Sequence, residues 1–293
     1  MSAFLAYPAW VRIFIDTDCG VDDALALAVL VSRPEVEIIG VTTTSGNTSA
    51  VQAARNVADV LAVMRHHIPV IAGPVPGPTF TPRLVHGPDG LGGHGSRPDR
   101  PGDPHAASKA ILEFCESAGS EDVLLCLGPM TNLAAAKPQS SPRIVAVGGA
   151  GIVGESDPGR DPNSEVDIAA STWVVENLGV DWVTINAGEH IWLRESEFGS
   201  TTASGRFQRS IHEAYGWHCA QRAGRQVWSP SAYDTIAALA AVGSELGKWE
   251  WVTPTFVGSS MWGTPGGDHR MLTVPADGSC AGVVRSAVSK ALA

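Results

Sequence analysis

Four carboxylates fall within eight residues near the start of this 293-residue chain, in DTDCGVDDA from Asp16 to Ala24. They sit where an apolar run ends and a helical pattern begins. Two carboxylates about 5 Å apart repel by roughly 3 kcal/mol at an effective dielectric near 20. A helix N-terminus offsets only about 0.3–1 kcal/mol of that. Acids drawn together here therefore hold protons or surround a cation. An all-oxygen donor set suits Ca²⁺ or Mg²⁺. The plain alternative is a capped helix whose acids point into water, but such acids have no reason to crowd the end of an apolar strand.

The elements that must position these acids can be read from hydrophobic spacing. Val11–Asp18 reads as a buried strand, with Asp16 and Asp18 on one face by alternation. Asp22–Ser32 reads as a helix with acids in its first turn. Val36–Thr44, Pro69–Gly73, Asp122–Gly128, Arg143–Gly149 and Asp181–Ala187 read as further strands. Thr48–His66 and His105–Ala118 read as helices between them. Apolar strands separated by helices predict an α/β fold with a mostly parallel sheet covered on both faces. Ligands in such sheets sit beyond the carboxyl ends of the strands. Pro74–Pro104 breaks the rhythm, with 8 Pro and 7 Gly in 31 residues. A structureless stretch of that length is usually functional or disordered. Gly188–Ser229 is polar, with a helical pattern around Ser204–Gly224. Helix Ser231–Val242, strands Trp249–Gly258 and Met271–Ala276, and helix Ala281–Leu292 complete the reading. No composition shift marks a linker, so residues 1–293 are expected to form one domain.

Composition bounds the function. Hydrophobic residues make up 44% and charged residues 17%, enough for a large core. The net charge is −10, which disfavours nucleic acid or an anionic membrane as partner. The five cysteines (Cys19, Cys115, Cys126, Cys219 and Cys280) are odd in number and form no CxxC. A reducing, cytoplasmic setting is therefore expected. The N-terminal MSAFLAYPAWVRIFIDTD has no basic n-region, and no signal peptide is expected.

The first motif resembles the DTDPGxDDA signature of the calcium-dependent nucleoside hydrolases, the inosine–uridine-preferring N-ribohydrolases. The resemblance runs over most of the chain. VTTTSGN (Val41–Asn47) is similar to the family's VTxxxGN, and HGPDGLGG (His86–Gly93) to its HGxDGLGG loop. LGPMTNLA (Leu127–Ala134) is similar to GPLTNxA. VGGAG (Val147–Gly151) and SEVDIAAS (Ser164–Ser171) parallel MGG and AEFNxxxDP. Asp234 in SAYDTIAAL falls at the late aspartate of HDPxA. The resemblance implies a Rossmann-like, mostly parallel sheet with helices on both faces, and hydrolysis of a ribonucleoside or modified nucleoside to base and ribose.

It also implies residue roles. Asp18, Asp23 and Asp234 would ligate Ca²⁺ through carboxylates, and Leu127 through its backbone carbonyl. Asp18 would take a proton from a Ca²⁺-activated water. Asp22 and Asn47 would bond ribose hydroxyls, with Val147 beside the sugar, Glu165 near the 5′ side, and His86 beside the base. Asp16 would orient rather than ligate. A nucleoside partner and a homodimer or homotetramer follow from the same resemblance. The residue types fit the chemistry, because cleavage of an N-glycosidic bond passes through an oxocarbenium-like transition state that carboxylates stabilise.

The chain also departs from the family pattern. Cys19 replaces the usual Pro, and Asp167 replaces an Asn that would contact ribose. Around Gly159 the upstream Asn has no clear counterpart, although Asn163 lies nearby. Tyr233 stands where many members have a His that donates a proton to the leaving base. Tyr233 and Trp228 could stack on that base instead. Two other readings stay open. One is a catalytically weak calcium- and ribose-binding protein on the same scaffold. The other is a DxD-type magnesium phosphatase using Asp16 and Asp18, which would also need a downstream Lys; the lysines are Lys109, Lys137, Lys248 and Lys290.

Overall fold

The computed structural model describes residues 10–78, 80–154, 160–188, 191–223, 232–275 and 278–293. Its strands are β1 (Val11–Thr17), β2 (Val36–Thr43), β3 (Val70–Ala72), β4 (Val123–Cys126), β5 (Arg143–Val147), β6 (Gly151–Ile152), β7 (Asp181–Val183), β8 (Lys248–Val257), β9 (Ser260–Pro265) and β10 (His269–Thr273). They form one sheet in the order β3-β2-β1-β4-β5-β7-β10-β8-β9-β6. From β3 to β10 every neighbour is parallel, while β8 runs antiparallel to both β10 and β9. The expected α/β architecture with a mostly parallel sheet is thus present.

The longer helices among the described residues are α1 (Val21–Val31), α2 (Ala50–Met64), α3 (Ala106–Ser117), α4 (Thr131–Ala136, a short one), α6 (Ile168–Asn177), α8 (Ala203–Ala223), α9 (Tyr233–Ala241) and α10 (Ala281–Leu292). Single turns α5 (Pro162–Val166) and α7 (Ile185–Gly188) stand between them. Strand alternation sorts the apolar side chains onto two faces. Val11, Ile13 and Ile15 of β1 pack with α1, α2, α8, α9 and α10. Phe14 packs on the other face with α3, α4 and α6.

Helix α1 is apolar all round, and residues Val21 through Leu30 are all buried. That pattern belongs to a helix enclosed on every side. It lies between the sheet and α9, and both helices carry small residues: Ala24, Ala26 and Ala28 on α1, Ala237, Ala238, Ala240 and Ala241 on α9. Small side chains let two backbones approach closely, so the two helix starts are held together in space.

The sequence reading needs three local corrections. The strand expected over Asp181–Ala187 ends at Val183, because the Ile185 N–H turns to the Gly149 carbonyl and a helical turn follows. The strand expected over Met271–Ala276 spans His269–Thr273, matching the length of its partner register against Val252–Lys248. β9 was not expected. It forms because Gly258 takes φ +64° in a two-residue turn that pairs Val257 with Ser260. The long Pro/Gly stretch is held in place where it matters: the Asp89 carboxylate accepts the backbone N–H groups of Leu91, Gly93 and Gly95 at 2.8–2.9 Å. Leu91 then buries fully in the core.

At the carboxyl end of β1, Asp16 lies opposite Thr42 on β2 and Cys126 on β4. Asn132, fully buried on α4, donates to Asp16 Oδ1 at 2.9 Å and to the Thr43 carbonyl at 3.0 Å. One amide thus ties α4 to two strand ends. Asn132→Ala should lower stability by about 1–3 kcal/mol, because it removes two buried hydrogen bonds and the packing of a fully buried side chain. A denaturant titration that left the midpoint unchanged would contradict this.

Candidate active site

Parallel pairing brings the ends of β1, β2, β4 and β5 to one edge of the sheet, and the acids gather there. Asp18 lies just past β1. Its Oδ2 accepts the Asn47 backbone N–H at 2.6 Å and its Oδ1 the Asn47 side-chain amide at 3.1 Å. The same amide donates to Asp23 Oδ2 at 3.2 Å. Asp23 also accepts the Gly20 N–H at 2.8 Å and a short bond from the Thr17 hydroxyl. Asp23 therefore caps its own helix. Glycine is required where the chains crowd these acids: a Cβ on Gly46 would stand 2.0 Å from Asp18 Oδ2.

Asp234 arrives from the other end of the chain, in the first turn of α9. Asp22, Asp23 and Asp234 each place a carboxylate oxygen within 4.8 Å of the others, and all three are buried. Asp16 does not join them. Since β1 stops at Thr17, the alternation that would align Asp16 with Asp18 is broken, and Asp16 is held by Thr42 and Asn132 instead. Burial lifts its carboxyl to about 6, against the pull of those two bonds.

Crowding shows in the proton affinities. Asp22 is pushed up to about 7, first by burial and then by the charge of Asp23. Asp18 is raised by burial and then by Asp23, with Arg83 opposing. Asp234 is raised by burial and then by Asp22, Asp23 and Asp18. Two acceptor atoms, Asp22 Oδ1 and Asn47 Oδ1, are buried with no hydrogen-bond partner. Buried acceptors left open among raised acids are what a cation would satisfy. The residues present thus fit a hard divalent ion, which Asp22, Asp23 and Asp234 would hold, while Asp18 stands outside that trio with both oxygens bonded by Asn47. The Leu127 carbonyl already accepts the Asn163 amide at 2.8 Å, with a second lone pair to offer.

The acids open into a cavity of about 450 Å³. Asp18, Asp22, Asn47, His86, Leu127, Val147, Glu165, Tyr233 and Asp234 all line it, whereas Asp23 lies behind them. Asp167 is not in its wall. The Asp167 carboxylate caps α6 through Ala170 N–H at 3.0 Å and accepts the Thr131 hydroxyl at 2.8 Å. It borders the adjoining cavity instead. Trp228 lies outside the described residues.

His86 is buried and stacks on Tyr215 of α8, with ring centroids 4.6 Å apart. Burial first, and then Arg83 and His212, push its pKa down to about 3. Its Nδ1 accepts the Val21 N–H at 3.2 Å, so the proton of the neutral ring sits on Nε2. Glu165 is gripped by Arg160, Nε to Oε1 at 2.9 Å and Nη2 to Oε2 at 2.5 Å. Tyr215, Arg83 and Arg160 also line the cavity, and the sequence reading missed all three. Arg83 stands three residues before His86, and Arg160 five before Glu165. Both are ordinary loop arginines until the fold places them.

The family profile described as inosine-uridine preferring nucleoside hydrolase matches residues 13–278. The chain belongs to that family. Within it, the chain is 36% identical over 189 residues to "Probable uridine nucleosidase 2" of Arabidopsis thaliana, covering 59% of this chain and 58% of that protein. It is 33% identical over 176 residues to "Non-specific ribonucleoside hydrolase RihC" of Escherichia coli O7:K1 (strain IAI39 / ExPEC), covering 55% and 57%. The match thus spans little more than half of each relative. The solved structure titled "Plant nucleoside hydrolase - PpNRh1 enzyme" superposes with a TM-score of 0.82 at 22% identity, covering 96% of this chain and 99% of that one. At that identity the likeness bears on the fold, which this nucleoside hydrolase family member shares.

The raised carboxyls make stability depend on pH. Their folded pKa values lie above the ordinary 3.8, so the folded chain binds more protons than the unfolded one between about 3.8 and 7 for Asp22. Stability without a cation should therefore fall as pH rises through that window. A divalent ion replaces the protons and removes the loss. The difference in Tm between ion-loaded and chelator-treated protein should widen from pH 5 to pH 7.5. A constant or shrinking difference would contradict the assignment.

Proposed function

We propose that the chain hydrolyses the N-glycosidic bond of a ribonucleoside or a modified nucleoside, releasing base and ribose, with Ca²⁺ as its ion. The observation that supports this reading most is the meeting of Asp22 and Asp23 with Asp234, residues from opposite ends of the chain, at the floor of a nucleoside-sized cavity. Family membership and the names carried by its relatives point the same way. An all-oxygen donor set suits a hard ion, and the family resemblance selects Ca²⁺ over Mg²⁺. When bound, Ca²⁺ supplies Lewis acidity toward water and the sugar hydroxyls.

The chain's own residues do the rest. Asp18, whose carboxyl is raised by burial and then by the charge of Asp23, accepts the proton of the attacking water. Asn47 holds Asp18 in place by two hydrogen bonds, fixing the direction from which it accepts. Asp22 presents an unpartnered oxygen to a ribose hydroxyl or to the ion. The surrounding carboxylates stabilise positive charge as it develops on the sugar ring. His86, neutral and protonated on Nε2, donates toward the departing base, and Tyr233 lines the same wall. The phosphatase reading loses its support here, since no lysine lines the cavity among the described residues.

Asp18→Asn should cut kcat by about 10²–10⁴-fold with the fold intact. A reducing-sugar assay across purine, pyrimidine and modified nucleosides measures it, and a wild-type rate in the variant would refute the role of Asp18. Chelator should abolish turnover and added Ca²⁺ restore it; full activity of ion-free protein would remove the ion from the reading. Ribose binding without any turnover would favour the binding-only alternative.

A further inference from the structure

We propose that Asn163 is a positioning residue for the ion, its amide fixing the Leu127 carbonyl as a backbone ligand. The inference rests on the Ca²⁺ reading above and adds to it a residue that no carboxylate motif contains. The parallel ladder between β4 and β5 ends at the pair Cys126 and Ala146. Leu127 follows β4 and Val147 closes β5, so their carbonyls stand where that ladder has run out. Asn163, on the single turn α5, reaches both. Its Nδ2 lies 2.8 Å from the Leu127 oxygen and 3.0 Å from the Val147 oxygen. An amide nitrogen carries two hydrogens, and these two bonds use both. One side-chain group thus stands in for the next rung and fixes the two strand ends.

The Leu127 carbonyl receives no other hydrogen bond among the described residues. The Leu127 N–H points back to the Asp16 carbonyl at 2.8 Å, Gly128 has no side chain, and Pro129 has no N–H. Yet this stretch lies against the acidic turn. A Cβ on Gly128 would stand 2.9 Å from the Asp18 backbone nitrogen, and one on Gly46 would stand 3.0 Å from Pro129. Leu127 also lines the cavity beside Asp22 and Asp234. Ca²⁺ takes roughly six to eight oxygens, more than three carboxylates supply, so a backbone oxygen at the wall adds to the set. A carbonyl has two lone pairs. With one given to Asn163, the other is held in a fixed direction.

The Asn163 side chain is not what seats its own turn. Asp161 does that: its carboxylate accepts the Ser164 N–H at 3.2 Å, the Ser164 hydroxyl at 2.6 Å and the Gly149 N–H at 2.9 Å. Pro162 opens the turn with its φ already set. Asn163 therefore spends its amide on the strand ends with α5 anchored independently. Partners that orient a ligand from behind in this way set metal affinity without touching the metal.

Calorimetry of Ca²⁺ binding to chelator-stripped full-length protein tests this. Asn163→Leu keeps a branched side chain of similar shape and removes the amide. It should weaken Ca²⁺ binding by about 10–100-fold. The Tm of the ion-free protein should move far less than that of the Ca²⁺-loaded protein. Asn163→Gln, which retains the amide, should recover part of the affinity. Unchanged Ca²⁺ affinity in Asn163→Leu, even with a lowered Tm, overturns the proposal, since a purely structural role predicts that result. A crystal structure of Ca²⁺-loaded wild type decides the question if no variant folds. The Leu127 oxygen should coordinate the ion with the Asn163 bond intact; a carbonyl turned away from the ion, or an amide released from it, overturns the proposal. Wild type that binds no Ca²⁺ strikes the ion reading and this inference together, whereas Ca²⁺ binding that ignores Asn163 strikes this inference alone.

Discussion

Like-charged carboxylates buried at the end of β1 are the constraint that the rest of the structure answers. Asp18, Asp22, Asp23 and Asp234 are each nearly inaccessible to solvent. Several ionised groups cannot share such a space without compensation. The fold supplies some compensation from within. Asn47 gives three hydrogen bonds to Asp18 and Asp23, and Thr17 and Gly20 give two more to Asp23. The starts of α1 and α9 both aim their N-terminal dipoles at the cluster. These contributions leave Asp22, Asp18 and Asp234 still raised. What remains is a demand for positive charge, met by protons or by an ion.

Bringing the acids together is a packing problem before it is an electrostatic one. Asp22 and Asp234 lie more than two hundred positions apart. They meet because α1 and α9 face each other with alanines and because both begin at the same edge of the sheet. A larger side chain at Ala24 or Ala238 would force the helices apart, since neither position has exposed surface to expand into. Gly46 plays the same part on the β2 side, where only a missing Cβ lets the backbone come against Asp18. Asn56 completes the frame, donating to the Cys19 and Asp89 carbonyls at 3.0 and 2.8 Å, and so ties the acidic turn to the loop that carries His86.

The parts of this arrangement that were legible in the sequence are those written locally. Apolar runs at strand length gave β1, β2, β4 and β5, and the DTDCGVDDA spacing gave a strand end followed by a helix start. Motif resemblance then placed Asp234 with the early acids, which no local pattern could do. Asp167 caps α6, a helix the sequence reading did not separate from the motif. Arg83, Arg160 and Tyr215 were illegible for a related reason. Arg83 reaches the cavity only through the path of a Pro/Gly-rich loop and Tyr215 through the seating of α8, while Arg160 stays exposed at the rim and joins the wall through its pairing with Glu165. β9 was hidden in a Gly-Ser turn between modest apolar residues, where strand pairing rather than composition decides.

Burial acts on His86 with the opposite sign to its action on the acids. It raises the carboxyls toward neutrality and holds the imidazole uncharged down to about pH 3. The two effects act in one sense, each disfavouring the charged form of its group. The tautomer of His86 is fixed by Val21, whose N–H occupies Nδ1. A neutral ring that donates through Nε2 suits a departing base, which gains electron density as the bond breaks. An imidazolium there would place a second positive charge beside a sugar that is itself becoming positive. The stacked Tyr215 keeps water off one face of the ring and so preserves the burial on which this state depends. The same low polarity that makes the acids need an ion thus makes the histidine a donor without charge.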